Sequence, residues 1–221
     1  MVRRIKNSGG QDKTLPIRDK KQLQQVMDYL LYCKDHARSK IKQDQAYINY
    51  ILFLIGFNTA FRAEDLLQLK VKDVLKGYVS IKENKTGKWQ HFRMNKLLHN
   101  EIMEYVNTYK FKENDYLFMG QKKTDTFKGI SKKIIYPITR QNVRLICRKI
   151  TDAVGIDFKF GLHSLRKTFG YMYIVNGGNL LTLQKMYNHE SPDITLLYVM
   201  WNKEDIERER ESIFIGGNSK K

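Results

Sequence analysis

Gly161-Leu162-His163-Ser164-Leu165-Arg166-Lys167-Thr168-Phe169 is the stretch on which the reading of this chain turns. From Gly161 the pattern is helical, and positions i and i+3 of a helix share a face, so His163 and Arg166 can address one ligand. Gly161 lets the chain turn tightly, and a helix start favours an anion. Alone, H-x-x-R is a short pattern that an ordinary solvated helix face also carries. Its weight depends on its surroundings.

Downstream, Asn176-Gly177-Gly178 breaks the helix, and Leu180–Tyr187 reads as a short one. Tyr187-Asn188-His189-Glu190-Ser191 follows, with Ser191 and Pro192 as the cap and first-turn proline of a helix holding Tyr198. Tyr198 lies in Leu196-Leu197-Tyr198-Val199-Met200, where a tyrosine is ordinarily core. Upstream, Asn58-Thr59-Ala60-Phe61-Arg62 is a turn into a short helix with Leu66, Leu67 and Leu69. The ordinary reading of Arg62, just before Glu64-Asp65, is a weak surface ion pair. Tyr78–Met94 alternates apolar and polar residues around Glu83-Asn84-Lys85-Thr86-Gly87-Lys88, the pattern of a β-hairpin with a basic tip. A lysine on such a tip is ordinarily just solvated.

Cutting a phosphodiester needs a nucleophile, positive charge at the phosphoryl oxygens and a proton for the leaving oxygen. Where no metal takes part, Arg and Lys must supply the charge. Tyr198, Arg62, Arg166, Lys85 and the two histidines are residue types able to do all three.

The rest of the chain reads mainly as helix. Asp19 caps a helix with Leu23, Val26, Met27, Leu30 and Leu31 on one face, and a second helix runs from about Asp44 to Ile55. Leu98, Ile102, Tyr105, Val106 and Tyr109 form the inward face of another. Residues 119–137 read as a loop rich in Lys and Thr. Thr139 caps a helix carrying Val143, Ile146, Cys147 and Ile150, which Gly155 ends. The fold class is therefore mainly α with one small antiparallel β-sheet (α+β). Residues 1–16 read as a flexible basic arm.

Composition narrows the partner. Among 221 residues, 40 Lys+Arg against 23 Asp+Glu give a formal net charge of +17, beside a 42% hydrophobic content sufficient for a core. Such a surplus suits a polyanion, and nucleic acid fits best because bound phosphates release their counterions. Lys122, Lys123, Lys128, Lys132 and Lys133 cluster on the 119–137 segment as phosphate contacts. Arg140 and Arg144, one helical turn apart, can address bases or phosphates. Cys33 and Cys147 are distant and belong to no metal pattern. Met1–Thr14 lacks the apolar stretch of a signal peptide, and Tyr47–Ala60 is too short to span a bilayer.

The order Arg62, Lys85, His163-x-x-Arg166, His189, Tyr198 resembles the tyrosine recombinase (phage integrase) family. The matching text is Thr59-Ala60-Phe61-Arg62-Ala63-Glu64-Asp65-Leu66, Lys85-Thr86-Gly87-Lys88, His163–Phe169 and Tyr187–Ser191 with the tyrosine helix. The resemblance covers roughly residues 45–205 and implies the integrase catalytic-domain fold. It implies that Tyr198 attacks the scissile phosphate and stays joined to the 3′ phosphate, releasing a 5′ hydroxyl. Arg62 and Arg166 would clamp the non-bridging oxygens, Lys85 would protonate the leaving oxygen, His163 would take the tyrosine proton, and His189 would hydrogen-bond the phosphate. Asp65 would be structural and orient Arg62, with Glu64 as a substitute. No metal or cofactor is implied.

Two departures stand out. Tyr187-Asn188 replaces the family's usual Leu-Gly, and asparagine should keep the left-handed turn. Lys82 and Lys88 compete with Lys85, which the Lys-Thr-Gly match favours. About 45 residues precede the match, too few for the family's N-terminal core-binding domain. The resulting division is a catalytic domain over 17–205 and a C-terminal segment, 206–221, whose Ile213-Phe214-Ile215 could dock on a neighbouring protomer. Double-stranded DNA is the expected partner, with a homo-tetramer on DNA, a monomer free in solution, no membrane, and a bacterial, phage or mobile-element cytoplasm as the setting. Two other readings differ in class. A DNA-binding module of the same fold would give no covalent protein–DNA band, and a type IB topoisomerase-like enzyme would nick and close without four-protomer assembly.

Overall fold

The computed structural model describes residues 13–127 and 130–215, and of residues 122, 123, 125–127 and 130–133 the backbone alone. Among them the order is α1 (Lys20–Asp35), α2 (Lys40–Asn58), α3 (Ala63–Leu67), a 3-10 turn (Val71–Asp73), β1 (Tyr78–Lys82), β2 (Trp89–Arg93) and α4 (Lys96–Tyr109). Then come β3 (Met119–Phe127), β4 (Ile130–Pro137), α5 (Arg140–Val154), α6 (Leu162–Val175), α7 (Leu180–Tyr187), α8 (Pro192–Val199) and α9 (Lys203–Ser212).

Local chemistry sets most boundaries. Asp19, Thr139, Asn179 and Ser191 each accept a backbone N–H of the first turn of the helix that follows. Gly155 ends α5 in the left-handed region at φ 72°. Helix α2 is longer than the apolar run predicted, because Ser39 caps it a turn earlier. Its second half, Tyr50–Phe57, is buried on nearly every side except at Leu54, as befits a central helix, and α1, α4 and α6 pack around it. A Cβ on Gly56 would lie 2.6 Å from Leu165 Cδ1, so the glycine lets α6 approach α2 closely.

A second, smaller cluster is centred on Ala60, Leu183, Tyr187 and Val199, with Phe169, Tyr173, Met186, Tyr198 and Trp201 against it. Gly170 makes it possible, because a Cβ there would lie 2.6 Å from Val199 Cγ1 and would collide with the Tyr187 hydroxyl. Helix α6 thus bridges both clusters, with Leu165 in the first and Phe169 in the second.

Three expectations are corrected. Met119–Phe127 and Ile130–Pro137 form an antiparallel ribbon, not a loop, with Lys122 opposite Ile135, Lys123 opposite Ile134 and Thr126 opposite Ser131, and a register shift between Met119 and Lys122. The described residues therefore hold two two-stranded sheets rather than one. Threonine, phenylalanine and isoleucine carry the strand preference here, but the lysines hid the period. The arm predicted for residues 1–16 ends earlier. Ile17 is fully buried and its N–H donates to Thr168 Oγ1 at 2.8 Å, Leu15 N–H donates to the Lys159 carbonyl at 3.1 Å, and Thr14 accepts from Lys167 Nζ at 2.6 Å. Residues 1–12 of that arm lie outside the described residues.

Candidate active site

Arg166 sits one turn into α6 and is 2% exposed. Its guanidinium donates through Nη1 to the Ala60 carbonyl and through Nη2 to the Tyr187 carbonyl at 3.0 Å, and it lies 4.3 Å from the centre of the Tyr187 ring. Arg62, at the start of α3, donates its own Nη2 to the same Tyr187 carbonyl at 3.3 Å. Two guanidiniums thus meet at one oxygen. The oxygen is available because the last carbonyls of a helix lack intrahelical partners. Asn188 ends α7 in the left-handed region, φ 53° and ψ 37°, the turn expected of it in place of glycine.

The next residue is His189. Its Nδ1 is 3.0 Å from the hydroxyl of Thr195, a fully buried residue one turn before Tyr198 on α8. The His189 ring is edge-on to Tyr198, with centroids 5.3 Å apart and planes at 70°. Tyr198 also meets the Tyr187 ring edge-on at 5.4 Å, and Arg166 and Lys167 lie 5.7 and 5.5 Å from its ring centre. The helix that carries it is fastened behind the site. Arg18 donates to the Met200 carbonyl and pairs with buried Asp205 at 3.3 Å, so the segment before α1 braces the end of α8.

Electrostatics follow from this crowding. Burial raises the Tyr198 phenol above its ordinary value, although Arg166 and Arg62 pull the other way. Burial, then Arg166 and Arg62, push His189 down to about 4, so its imidazole is neutral near pH 7 and a weak base. His163, on the first turn of α6, is exposed overall. Desolvation of its ring and the charges of Arg140, Lys167 and Arg166 nevertheless hold it below the usual histidine value.

Lys85 is exposed, on the tip between β1 and β2. The turn closes through Glu83 N–H to the Lys88 carbonyl and Gly87 N–H to the Glu83 carbonyl, each at 2.9 Å, with Gly87 at φ 66°. Lys82 and Lys88 are exposed as well. Asp65, expected to be structural and to orient Arg62, makes no described ion pair with it, although the Arg62 charge acts on its carboxyl. Buried Asp65 instead accepts the Asn84 N–H at 3.0 Å, fastening α3 to the tip, and the ion-pair partner of Arg62 is Glu83. Glu64, the suggested substitute, pairs with Arg140 at the surface.

The site thus gathers Arg62 and Arg166 at the Tyr187 carbonyl and Tyr198 beside Arg166 and His189, with Asp65 on α3 holding the tip. His163 has no described contact with Tyr198, and Lys85 has none with the clamp. Glu83, Thr195 and Tyr187 escaped the sequence reading. The first stood inside the quoted turn as an apparent turn former, and the other two looked like ordinary helix residues. Arg140 and Arg144 are exposed on α5, and Arg140 borders an open groove of about 1160 Å³ shared with Glu64, Gln68, Lys70, Asn84 and Gln141. Lys122, Lys123, Lys132 and Lys133 belong to the ribbon, where only backbone is described, and Lys128 lies outside the described residues.

Known proteins resemble this chain in sequence and in fold. The "Probable integrase/recombinase YoeC" of Bacillus subtilis is 37% identical over 202 residues, which are 91% of this chain and 97% of that protein. The tyrosine recombinase XerD of Staphylococcus haemolyticus is 24% identical over 168 residues, and the match spans only 54% of its length. The fold is that of XerA recombinase, with a TM-score of 0.66 at 16% identity over 91% of this chain and 65% of that one. It is also that of XerH bound to a palindromic difH substrate after cleavage, at 0.64 and 22% over 90% of this chain and 54% of that one. The Phage integrase family model matches residues 18–205, so the chain belongs to the phage integrase family.

Proposed function

We propose that this chain is a tyrosine recombinase that cuts and rejoins DNA strands at specific sites through a 3′-phosphotyrosine intermediate. The observation that carries the reading is the meeting of Arg62 and Arg166 at one point beside Tyr198 and His189. A phosphate at that point would receive paired, charge-assisted hydrogen bonds from two guanidiniums. The Tyr198 oxygen would form its bond to phosphorus as the bond to the 5′ oxygen breaks. That oxygen would leave as a hydroxyl, with its proton from the Lys85 ammonium. A free phenol has a pKa of about 10, so its proton needs an acceptor. The family resemblance gives that proton to His163. His163, held below the usual histidine value, is neutral near pH 7 and able to take it, while His189, beside the Tyr198 ring, is left to hydrogen-bond the phosphate.

Double-stranded DNA is the proposed substrate, with the ribbon lysines, Arg140 and Arg144 placing its backbone. Exposed Ile213, Phe214 and Ile215, at 65, 77 and 92%, support docking of the C-terminal segment on a neighbouring protomer in a tetramer. Among the described residues no helix is long and apolar enough to cross a membrane, and a bacterial cytoplasmic setting is part of the proposal. The test is a nicked suicide duplex carrying the chain's target, taken from the flanks of its gene. Wild type gives a covalent band in denaturing gels, and Tyr198→Phe binds equally but gives none. A band from the Phe variant would show that the nucleophile is another residue.

A further inference from the structure

Glu83 is 1% exposed, and its carboxylate is the meeting point of four elements. Oε1 accepts Gln90 Nε2 from β2 at 2.6 Å and pairs with Arg62, while Oε2 accepts the Thr86 hydroxyl of the tip. The Asn188 side chain, at the end of α7, bears on it too. Gln90 in turn donates to the Met186 carbonyl at 3.1 Å. Glu83 and Thr86 flank Lys85 within the six-residue turn, and Asn84 between them is held by Asp65. A buried carboxylate persists only when its lone pairs are satisfied, so the arrangement ties the turn, Arg62 and the end of α7 into one unit.

We infer that Glu83 is a positioning residue that registers Lys85 against the arginine clamp, by gripping Arg62 with one oxygen and the Lys85 turn with the other. The inference rests on the proposed role of Lys85 as proton donor. Its consequence is specific. Weakening the Glu83 link should slow departure of the 5′ oxygen, the step that needs the Lys85 proton, rather than DNA binding.

A substrate with sulfur in place of the bridging 5′ oxygen separates the cases, because a thiolate leaves without protonation. Glu83→Gln should lower adduct formation on the oxygen substrate by about 10- to 100-fold. The sulfur substrate should restore most of that loss, with DNA affinity unchanged. Thr86→Val, at an exposed position, leaves Arg62 and Gln90 on Glu83 and removes its link to the turn together with a long 3.3 Å bond from the Lys88 N–H, and it decides the matter if Glu83→Gln fails to fold. Its loss is smaller and is also rescued. A folded variant that works at the wild-type rate, or is equally slow on both substrates, overturns the inference. Lys85→Ala is the control. Rescue of Lys85→Ala without rescue of Glu83→Gln defeats the inference alone, whereas a Lys85→Ala defect that sulfur leaves in place removes Lys85 as proton donor and the reading beneath it.

Discussion

Arg166 and Lys85 are charged groups proposed for one site, yet they are held in opposite ways. Arg166 is buried against the smaller core cluster, over the Tyr187 ring and bonded to two carbonyls. Lys85 rides on an exposed turn whose backbone, rather than its ammonium, is anchored. The contrast has a chemical sense. Charge at the phosphoryl oxygens acts most strongly when fixed beforehand in a dry setting, so that nothing reorganises during reaction. A proton donor must instead meet an oxygen whose charge develops only as its bond breaks.

The largest expected effect is at the fixed end. Arg166→Lys should lower covalent-adduct formation by about 10²–10³-fold, because one ammonium cannot serve two carbonyls and a phosphate together. Its melting temperature should fall as well, since a buried carbonyl loses its donor. A variant that is slow but fully stable would break the claim that clamp and core are one structure. Lys85→Ala should lower the same rate by about 10²-fold with stability changed by less than about 0.5 kcal/mol, a surface value. Loss of stability there would erase the contrast.

Gly170→Ala sharpens the comparison without touching a charge. The added methyl must displace Tyr187 or Val199, at a cost of about 1–3 kcal/mol in urea unfolding, and the slackened cluster should slow adduct formation too. Unfolding at the wild-type midpoint would mean that α6 and α7 are less closely packed than described. The smallest effect is in pH. His189 is held at about 4 against an ordinary 6.5, so between those values the unfolded chain binds a proton that the folded chain refuses. Stability is full above that window and falls as pH drops through it. The urea midpoint of wild type should therefore drop more between about pH 7 and pH 5 than that of His189→Gln; equal drops would assign the acid sensitivity elsewhere.

How much was legible from the chain depended on the kind of force involved. Helices with apolar residues every third and fourth position, their capping side chains and the hairpin around Lys85 were all readable, because each is settled within a few neighbouring residues. The ribbon of β3 and β4 was not. Its stability comes from a ladder between its own two strands, and its lysines and threonines carry no apolar alternation to reveal it. The binding of Thr14, Leu15 and Ile17 to Lys167, Lys159 and Thr168 was equally hidden, since the partners are about 150 residues away.

By itself the sequence determined the order of the residues proposed for the site, which arginines, histidines, lysine and tyrosine follow one another, and a positive surplus suited to a polyanion. It also determined that Asn188 could stand where glycine is usual, because left-handed backbone is a property of one residue. Tertiary structure alone decided who touches whom. Glu83 rather than Asp65 faces Arg62, and His189 rather than His163 lies against Tyr198, because those contacts join segments whose distance is set by the packing of α6 on α2 and of α7 on α6. A carboxylate's partner depends on where two helices and a hairpin come to rest, and no local pattern contains that.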